Sequence, residues 1–538
     1  MIPFRTSAHA ANSSPSVALE KGAYRMRAPY PRPPTKLLFS RSPVRNRRVD
    51  TLSTSQNLAM LVLLLALACL SCFGMAYYLF STRWDARALS QQPSANQPHR
   101  QVVNIDFREQ NSILPDPHER FLAYLPHSGF HNQRIALENA LVLARLLNRT
   151  LLVPPVWLGN KPLRYLNFNA LSQALALSDK DGLFHCSQIP SHIPSPMECT
   201  GYFDYTHISW DWLVDLSETK KVQHLRQRWN MTDAWITEHL RISEVDIWMI
   251  KDTSPYHYRI LDTVTDTSPL SHKFLETLYL PDLATSTKRL IHFGTLFGSS
   301  RLRLKNSTNV AIRASIRQSM TFSNVILIDA SYSIAKSMGH LYIGGHLRLG
   351  DGDFQRNGRD NARMLWWKLM HNVLHYTQEE TADIERVVLN LSKTWDPPPL
   401  PIDETQNFTR PRLWKSQTQR LACRGTLHTR RDLRPLNIPL FISTDVDRPE
   451  HNPLLLRFYR TFPCVFHLSD FPKAMASLRE LQNANDGVML NDFLLPFLDA
   501  MVVAHAWMVV GTEKSTFSRF VEDVLWRMYH GMEIIQRG

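Results

Sequence analysis

The chain has 538 residues, 44% hydrophobic and 20% charged, with a formal net charge of +13. That length exceeds one ordinary domain, and the composition excludes a collagen-like or wholly disordered chain. Ten Lys/Arg and two acids in residues 1–57 account for +8, leaving +5 for all the rest; basicity held in a tail rather than a groove argues against a nucleic-acid partner.

Residues 1–57 are rich in Pro, Ser and Arg and read as a disordered cytoplasmic tail. Leu58 to Phe80 is 23 residues without a charge, long enough to span a bilayer and too far from the N-terminus for an ordinary cleaved signal peptide. Arg41, Arg45, Arg47 and Arg48 precede it, and the heavier positive flank stays inside. The expectation is a single-pass type II signal-anchor with everything after residue 80 lumenal. Residues 81–117 read as a polar stem. The sequons at Asn148, Asn230, Asn306, Asn390 and Asn407 all lie beyond the span. Of six cysteines, Cys69 and Cys72 are inside it. Cys186, Cys199, Cys423 and Cys464 allow three pairings in an oxidising compartment, with nearest neighbours preferred.

The first folded domain is placed at 118–338. Phe121–Leu125 reads as a strand and Ser128-Gly129-Phe130-His131-Asn132 as a loop. Residues 132–147 carry apolar positions at helical spacing, and Thr150–Val153 forms a strand stopped by Pro154-Pro155. Strand, loop, helix, strand is a βαβ unit and implies a parallel sheet. The second domain is placed at 339–538, with strands at Leu341–Arg348, Pro439–Thr444, Cys464–Leu468 and Trp507–Val510. Helices are placed at Phe493–Ala504 and Ser518–Met528. Residues 156–335 and about 380–435 read as carrying insertions, the latter including a Pro-rich surface stretch at 395–420.

Three stretches suit a phosphate-bearing ligand. A glycine loop that opens a helix, at Gly129, offers backbone N–H groups to an anion. His346 and Arg348 lie two residues apart at a strand's C-terminal end, so both side chains face one side, where a ligand crevice can form. Arg348 can grip a phosphate with two parallel bonds. Gly511-Thr512-Glu513-Lys514-Ser515-Thr516-Phe517-Ser518 follows a strand and opens a helix, with hydroxyls suited to phosphate oxygens. The plainer reading of that run is helix capping. Gly-Lys-Ser/Thr is absent, so it is not a P-loop.

These blocks, in this order, resemble the GDP-fucose protein O-fucosyltransferase family over roughly residues 118–530. The matching segments are Ser128–Arg134 with Leu147–Pro155, then Gly345-His346-Leu347-Arg348-Leu349-Gly350-Asp351, then Asp499 with Gly511–Ser518. The resemblance implies a GT-B fold of two Rossmann-like α/β domains with the donor between them. It implies inverting transfer of fucose from GDP-fucose to a protein or glycan hydroxyl in the Golgi or ER, with no required metal or other cofactor. Arg348 would hold the β-phosphate, His346 would contact the nucleotide, and Asp499 would pair with guanine N–H groups. Ser515, Thr516 and Phe517 would line phosphates and base. Gly129, Phe130 and Asn132 would lie on the donor side, and Asp445 near the nucleotide. One branch of the family has a Glu base just before the loop glycine; here Ser128 stands there. His127 and His131 are the base candidates, since imidazole accepts a proton near neutral pH, and Glu138 reads as a surface charge.

Two other readings use the same residues. Asp351-Gly352-Asp353 would be the Mn²⁺-holding Asp-x-Asp of a metal-dependent GT-A glycosyltransferase. A membrane protein that binds a nucleotide sugar without transferring it would need no base.

Overall fold

The computed structural model describes residue 60 and residues 62–75, 102–103, 116–190, 192–264, 273–339, 341–393, 395–400 and 422–536. The expectations for the tail 1–57, for most of the stem and for residues 401–420 lie outside these. The chain separates into two units, Met1–Ala95 and Asn96–Gly538. In the first, residues 62–75 are helical with exposed side chains. No helix among the described residues is long and apolar enough to cross a membrane.

The second unit is α/β and contains two parallel sheets. One has five strands in the order Leu225–Gln227, Thr150–Val153, Phe121–Ala123, Leu290–Phe293, Ile247–Ile250, every pair parallel. The other has four, in the order Val465–Phe466, Leu440–Thr444, Ile343–Leu347, Met508–Gly511, again all parallel. The four-stranded sheet and the three central strands of the five-stranded one are buried, which is why those strands read as short apolar runs rather than alternating ones. The helix Phe130–Leu146 connects two strands of the first sheet, as the βαβ pattern requires. The helix Asn491–Ala504 lies so close on Ile343–Leu347 that a Cβ on Gly344 would stand 2.5 Å from the Val503 carbonyl oxygen. Only glycine fits at that crossing.

Several expectations are corrected. Residues 156–335 are not mainly an insertion, because they supply Leu225–Gln227, Ile247–Ile250 and Leu290–Phe293 to the five-stranded sheet. Those strands have only three or four residues and give little periodic signal. The stem is partly integrated, since Val102–Val103 pairs in parallel with Gln482–Asn483. The start of the 380–435 stretch also belongs to the fold. It lies in the helix Gln378–Leu389, whose buried Glu385 takes hydrogen bonds from Arg363, Arg457 and Trp367. Glu138 is fully buried, with Arg317 bonded to both carboxylate oxygens and Arg134 at 3.8 Å. Helical position places a charge on a face but does not say what that face meets. Cys186 pairs with Cys199 and Cys423 with Cys464, the nearest-neighbour arrangement.

Candidate active site

All four strands of the second sheet end on the same side, at a cavity of about 440 Å³. A parallel sheet directs every strand's C-terminal end, and so every following loop, to one edge. His346 and Arg348 come from the first of these ends, Ser443, Thr444 and Asp445 from the second, and His467 from the third. Phe517 stands after the fourth, and the helix Asn491–Ala504 closes the wall with Leu495, Pro496 and Asp499.

His346 is buried, and its Nδ1 lies 2.7 Å from the Ser518 hydroxyl, which itself accepts the Thr512 N–H at 3.1 Å. The Ser518 hydroxyl keeps a second lone pair and its own proton, so it can accept from Nδ1–H or donate to Nδ1, and in the second case the imidazole proton sits on Nε2. Burial, with Arg348 as second cause, lowers the imidazole pKa to about 3. The ring is therefore neutral, and its face tilts towards Phe517 at 5.3 Å.

Arg348 is held from several directions. Its backbone N–H donates to Thr512 Oγ1 at 3.0 Å, and the Thr512 hydroxyl bonds the His346 carbonyl at 3.2 Å. Its guanidinium makes a two-point contact with Asp351, at 3.1 and 2.9 Å, and lies over the Phe354 ring at 4.9 Å. The side chain is 27% exposed, so the fork faces solvent at the cavity mouth. Asp445 lines the cavity and also supports this turn. Its Oδ1 accepts the Leu349 and Gly350 N–H groups at 2.7 and 2.9 Å, and its Oδ2 stands 3.9 Å from Arg348. A Cβ on Gly350 would approach that carboxylate to 2.9 Å, so the glycine is needed for the contact.

Asp499 carries the strongest polar demand in the cavity. Burial raises its carboxyl to about 7, against a smaller opposing pull from the Ser443 hydroxyl and the Thr444 N–H. Its Oδ1 and the neighbouring Thr444 Oγ1 are buried and without a hydrogen-bond partner among the described residues. A buried carboxyl oxygen left unpaired costs free energy unless a ligand donates to it.

The other expected site residues lie outside this cavity's lining. Gly129 is exposed at the start of Phe130–Leu146, with no side-chain cap and nothing within 4 Å of where a Cβ would be. The left-handed backbone in that loop belongs to Ser128, at φ 67°, not to the glycine. Asn132 is half-buried, and its Oδ1 has no partner among the described residues. Phe130 packs in an aromatic cluster, 4.6 Å from Phe497 and 5.5 Å from Phe520, and ties the first helix to the second half of the unit. Ser515 is fully buried, and its hydroxyl oxygen accepts the Ser518 N–H as a helix cap. Thr516 begins the short helix Thr516–Arg519, which packs against Phe130–Leu146.

Neither imidazole proposed as base reaches the cavity. His127 is buried, with Nδ1 on the Ser128 hydroxyl at 2.7 Å and Nε2 on the Thr295 hydroxyl at 2.6 Å. Burial first, then Arg301, lowers its pKa to about 4. His131 is buried against the Phe520 ring at 5.1 Å, and burial holds its pKa well below the usual histidine range. A histidine beside a loop glycine looks available in a sequence; burial is settled by elements distant along the chain. The Asp-x-Asp pair is also engaged, Asp351 with Arg348 and Asp353 with Arg356, so each carboxylate already faces a cation. The one grouping of three metal-ligand side chains among the described residues contains Cys186 and Cys199, which are bonded to each other.

Sequence reasoning missed Thr512 and Ser518 as the pair that orients His346 and Arg348. It missed Ser443, Thr444, His467 and Pro496 as lining. Ser443 and Thr444 end a strand, and Leu495 and Pro496 precede Asp499 by one turn of the same helix, so strand ends and helical spacing were the available signals.

No protein-family model matches the chain. A stretch of 38 residues is 55% identical to O-fucosyltransferase 30 of Arabidopsis thaliana, which is 7% of this chain and 8% of that protein. The resemblance is to an O-fucosyltransferase. Among solved structures, POFUT1 in complex with GDP-fucose overlaps 76% of this chain and 94% of its own, with 14% identity and a TM-score of 0.31. The apo form of POFUT1 overlaps 78% and 97%, with 13% identity and a TM-score of 0.30.

Proposed function

We propose that this chain is a GT-B glycosyltransferase that binds GDP-fucose at the ends of the four-stranded sheet. It would transfer fucose, with inversion, to a hydroxyl in the secretory pathway. One observation carries the reading: a guanidinium fork and a buried, unpaired carboxyl oxygen open on one cavity. Those are the complements of a diphosphate and of a base edge rich in N–H donors. Arg348 would exchange part of its contact with Asp351 for the β-phosphate and neutralise the departing GDP. With its proton on Nε2, His346 would donate to a phosphate or ribose oxygen, and Asp499 would accept from guanine. With a fixed cation at the diphosphate, no metal is required. The domains would run 118–338 and 339–538, and residues 58–80 would anchor the chain as a type II protein of the Golgi or ER. The 38-residue match to an O-fucosyltransferase supports the choice of sugar.

A second reading, a nucleotide-sugar-binding protein without transfer, is favoured by the burial of both His127 and His131. Calorimetric titration with GDP, GMP and UDP tests the binding reading common to both. GDP should bind most tightly, GMP more weakly for want of the β-phosphate, and UDP least. Equal affinity for GDP and UDP would remove Asp499 from base recognition and the reading with it.

A further inference from the structure

A second cavity, of about 280 Å³, adjoins the first, and Asp492 lines both. Its walls come from two distant parts of the chain. Asn160, Ser187 and Phe203 form one wall, and Gln482, Met489 and Asp492 are on the other. Asp492 and Asp499 lie on the same helix, seven residues or about 10 Å apart. We propose that this cavity is the acceptor subsite and that it takes a sugar ring, so that the receiving hydroxyl is carried by a saccharide. This rests on the glycosyltransferase reading above.

The bonding capacity of the walls suits a saccharide. Gln482 spends one of its two amide N–H donors on the Gly487 carbonyl at 2.7 Å, which leaves the other and Oε1. Ser187 donates to the Phe184 carbonyl at 2.8 Å, which leaves its lone pairs. Asp492 receives the Asn491 amide on Oδ1 at 2.8 Å, which leaves Oδ2. The Asn160 side chain has no hydrogen-bond partner among the described residues. The cavity therefore offers acceptor oxygens together with amide N–H donors from Asn160 and Gln482, the complement of sugar hydroxyls, each of which both donates and accepts. No Lys or Arg lines the cavity, so it is not built for an anion. Phe203 is 53% exposed and Met489 36%, apolar surface of the kind that covers the C–H face of a pyranose.

The walls are also fixed before any ligand arrives. The Cys186–Cys199 bond braces the segment that carries Ser187. Gly487, at φ 68°, approaches so closely that a Cβ there would stand 2.5 Å from Ser187 Oγ. Behind the cavity the buried Lys180–Asp486 pair, 2.9 Å apart, joins the two parts. Thr206 donates to the same Asp486 oxygen at 2.8 Å, and the Tyr202 hydroxyl donates to the Asp486 carbonyl at 2.7 Å. Such a support holds a binding site in one geometry and lowers the ordering cost of binding.

The test is saturation-transfer NMR on the purified full chain in detergent with GDP present. The probes are a mixture of cellobiose, lactose, maltose and chitobiose, with a Ser/Thr-containing peptide as a separate sample. At least one disaccharide should saturate, and Phe203→Ala and Asn160→Ala should each weaken it about tenfold or more. Both positions are at the surface, and the thermal shift caused by GDP should be unchanged in both variants. The proposal is overturned if no disaccharide saturates or if the signal survives both variants. It is equally overturned if the peptide alone saturates and Phe203→Ala removes that signal. Loss of GDP binding in the parent protein would refute the nucleotide reading and would leave the saccharide result to be judged separately.

Discussion

The protonation of Asp499 should govern nucleotide affinity. Its free carboxyl is raised to about 7 by burial, and the two N–H donors of a guanine edge are met best by the ionised carboxylate, because protonation turns one acceptor oxygen into a donor. GDP should therefore bind the ionised form preferentially and release a proton where the free form is protonated. With a free pKa of about 7, GDP affinity should fall about tenfold between about pH 8 and about pH 6, and about tenfold more by about pH 5. The stability effect has the opposite sign. A carboxyl whose folded pKa lies above its ordinary 3.8 destabilises the unliganded fold fully above about 7. That cost is relieved as pH falls from about 7 towards 3.8. Over the whole interval it is on the order of 4 kcal/mol. Asp499→Asn removes the titration. It should melt higher than the parent at alkaline pH, with the difference shrinking in acid, and should bind GDP weakly with a flat pH profile. Calorimetric titration and thermal unfolding, each run across the pH range on both proteins, measure these slopes. If parent and variant have parallel pH profiles for GDP, Asp499 does not contact the base.

Arg348→Ala should cut transfer by about a hundredfold or more, the scale of one lost transition-state contact, and Arg348→Lys should not restore it because a point charge lacks the planar fork. Normal kinetics in either variant would leave Arg348 as a solvated strand end. Activity should survive EDTA, as Arg348 stands where a cation would neutralise the diphosphate; loss with EDTA and rescue by Mn²⁺ would favour the Asp-x-Asp reading. Gly344→Ala should destabilise the protein by about 1–3 kcal/mol through overpacking against Val503, while GDP still binds the folded fraction. An unchanged melting temperature would mean that the helix Asn491–Ala504 moves away at no cost.

The strands that end at the cavity were legible because they are β-rich apolar runs ending in Arg348, Asp445 and Gly511, and a parallel sheet brings such ends together without further information. Asp499 was legible through its motif, yet nothing in the sequence shows that Oδ1 is left unpaired. The depth of the first loop was not legible. Phe130 and His131 open a helix whose first turn faces an aromatic cluster assembled from Trp210, Phe322, Phe497 and Phe520, all remote in sequence. The enclosure of His127 was not legible for the same reason, since Thr295 approaches it across 168 positions. Glu138 shows how a charge between apolar positions can be buried when an arginine from another helix meets it.

Transfer itself is the most direct measurement. The purified full chain, incubated with GDP-fucose, GDP-mannose, UDP-glucose and UDP-galactose in turn, is assayed for release of free nucleotide with and without Mn²⁺. GDP should be released from GDP-fucose in preference to the other donors, without Mn²⁺, and release should be lost in an Arg348→Ala variant that still melts normally. Release of UDP from a UDP-sugar only when Mn²⁺ is present, with GDP-fucose untouched, would contradict both the donor and the role given to Arg348.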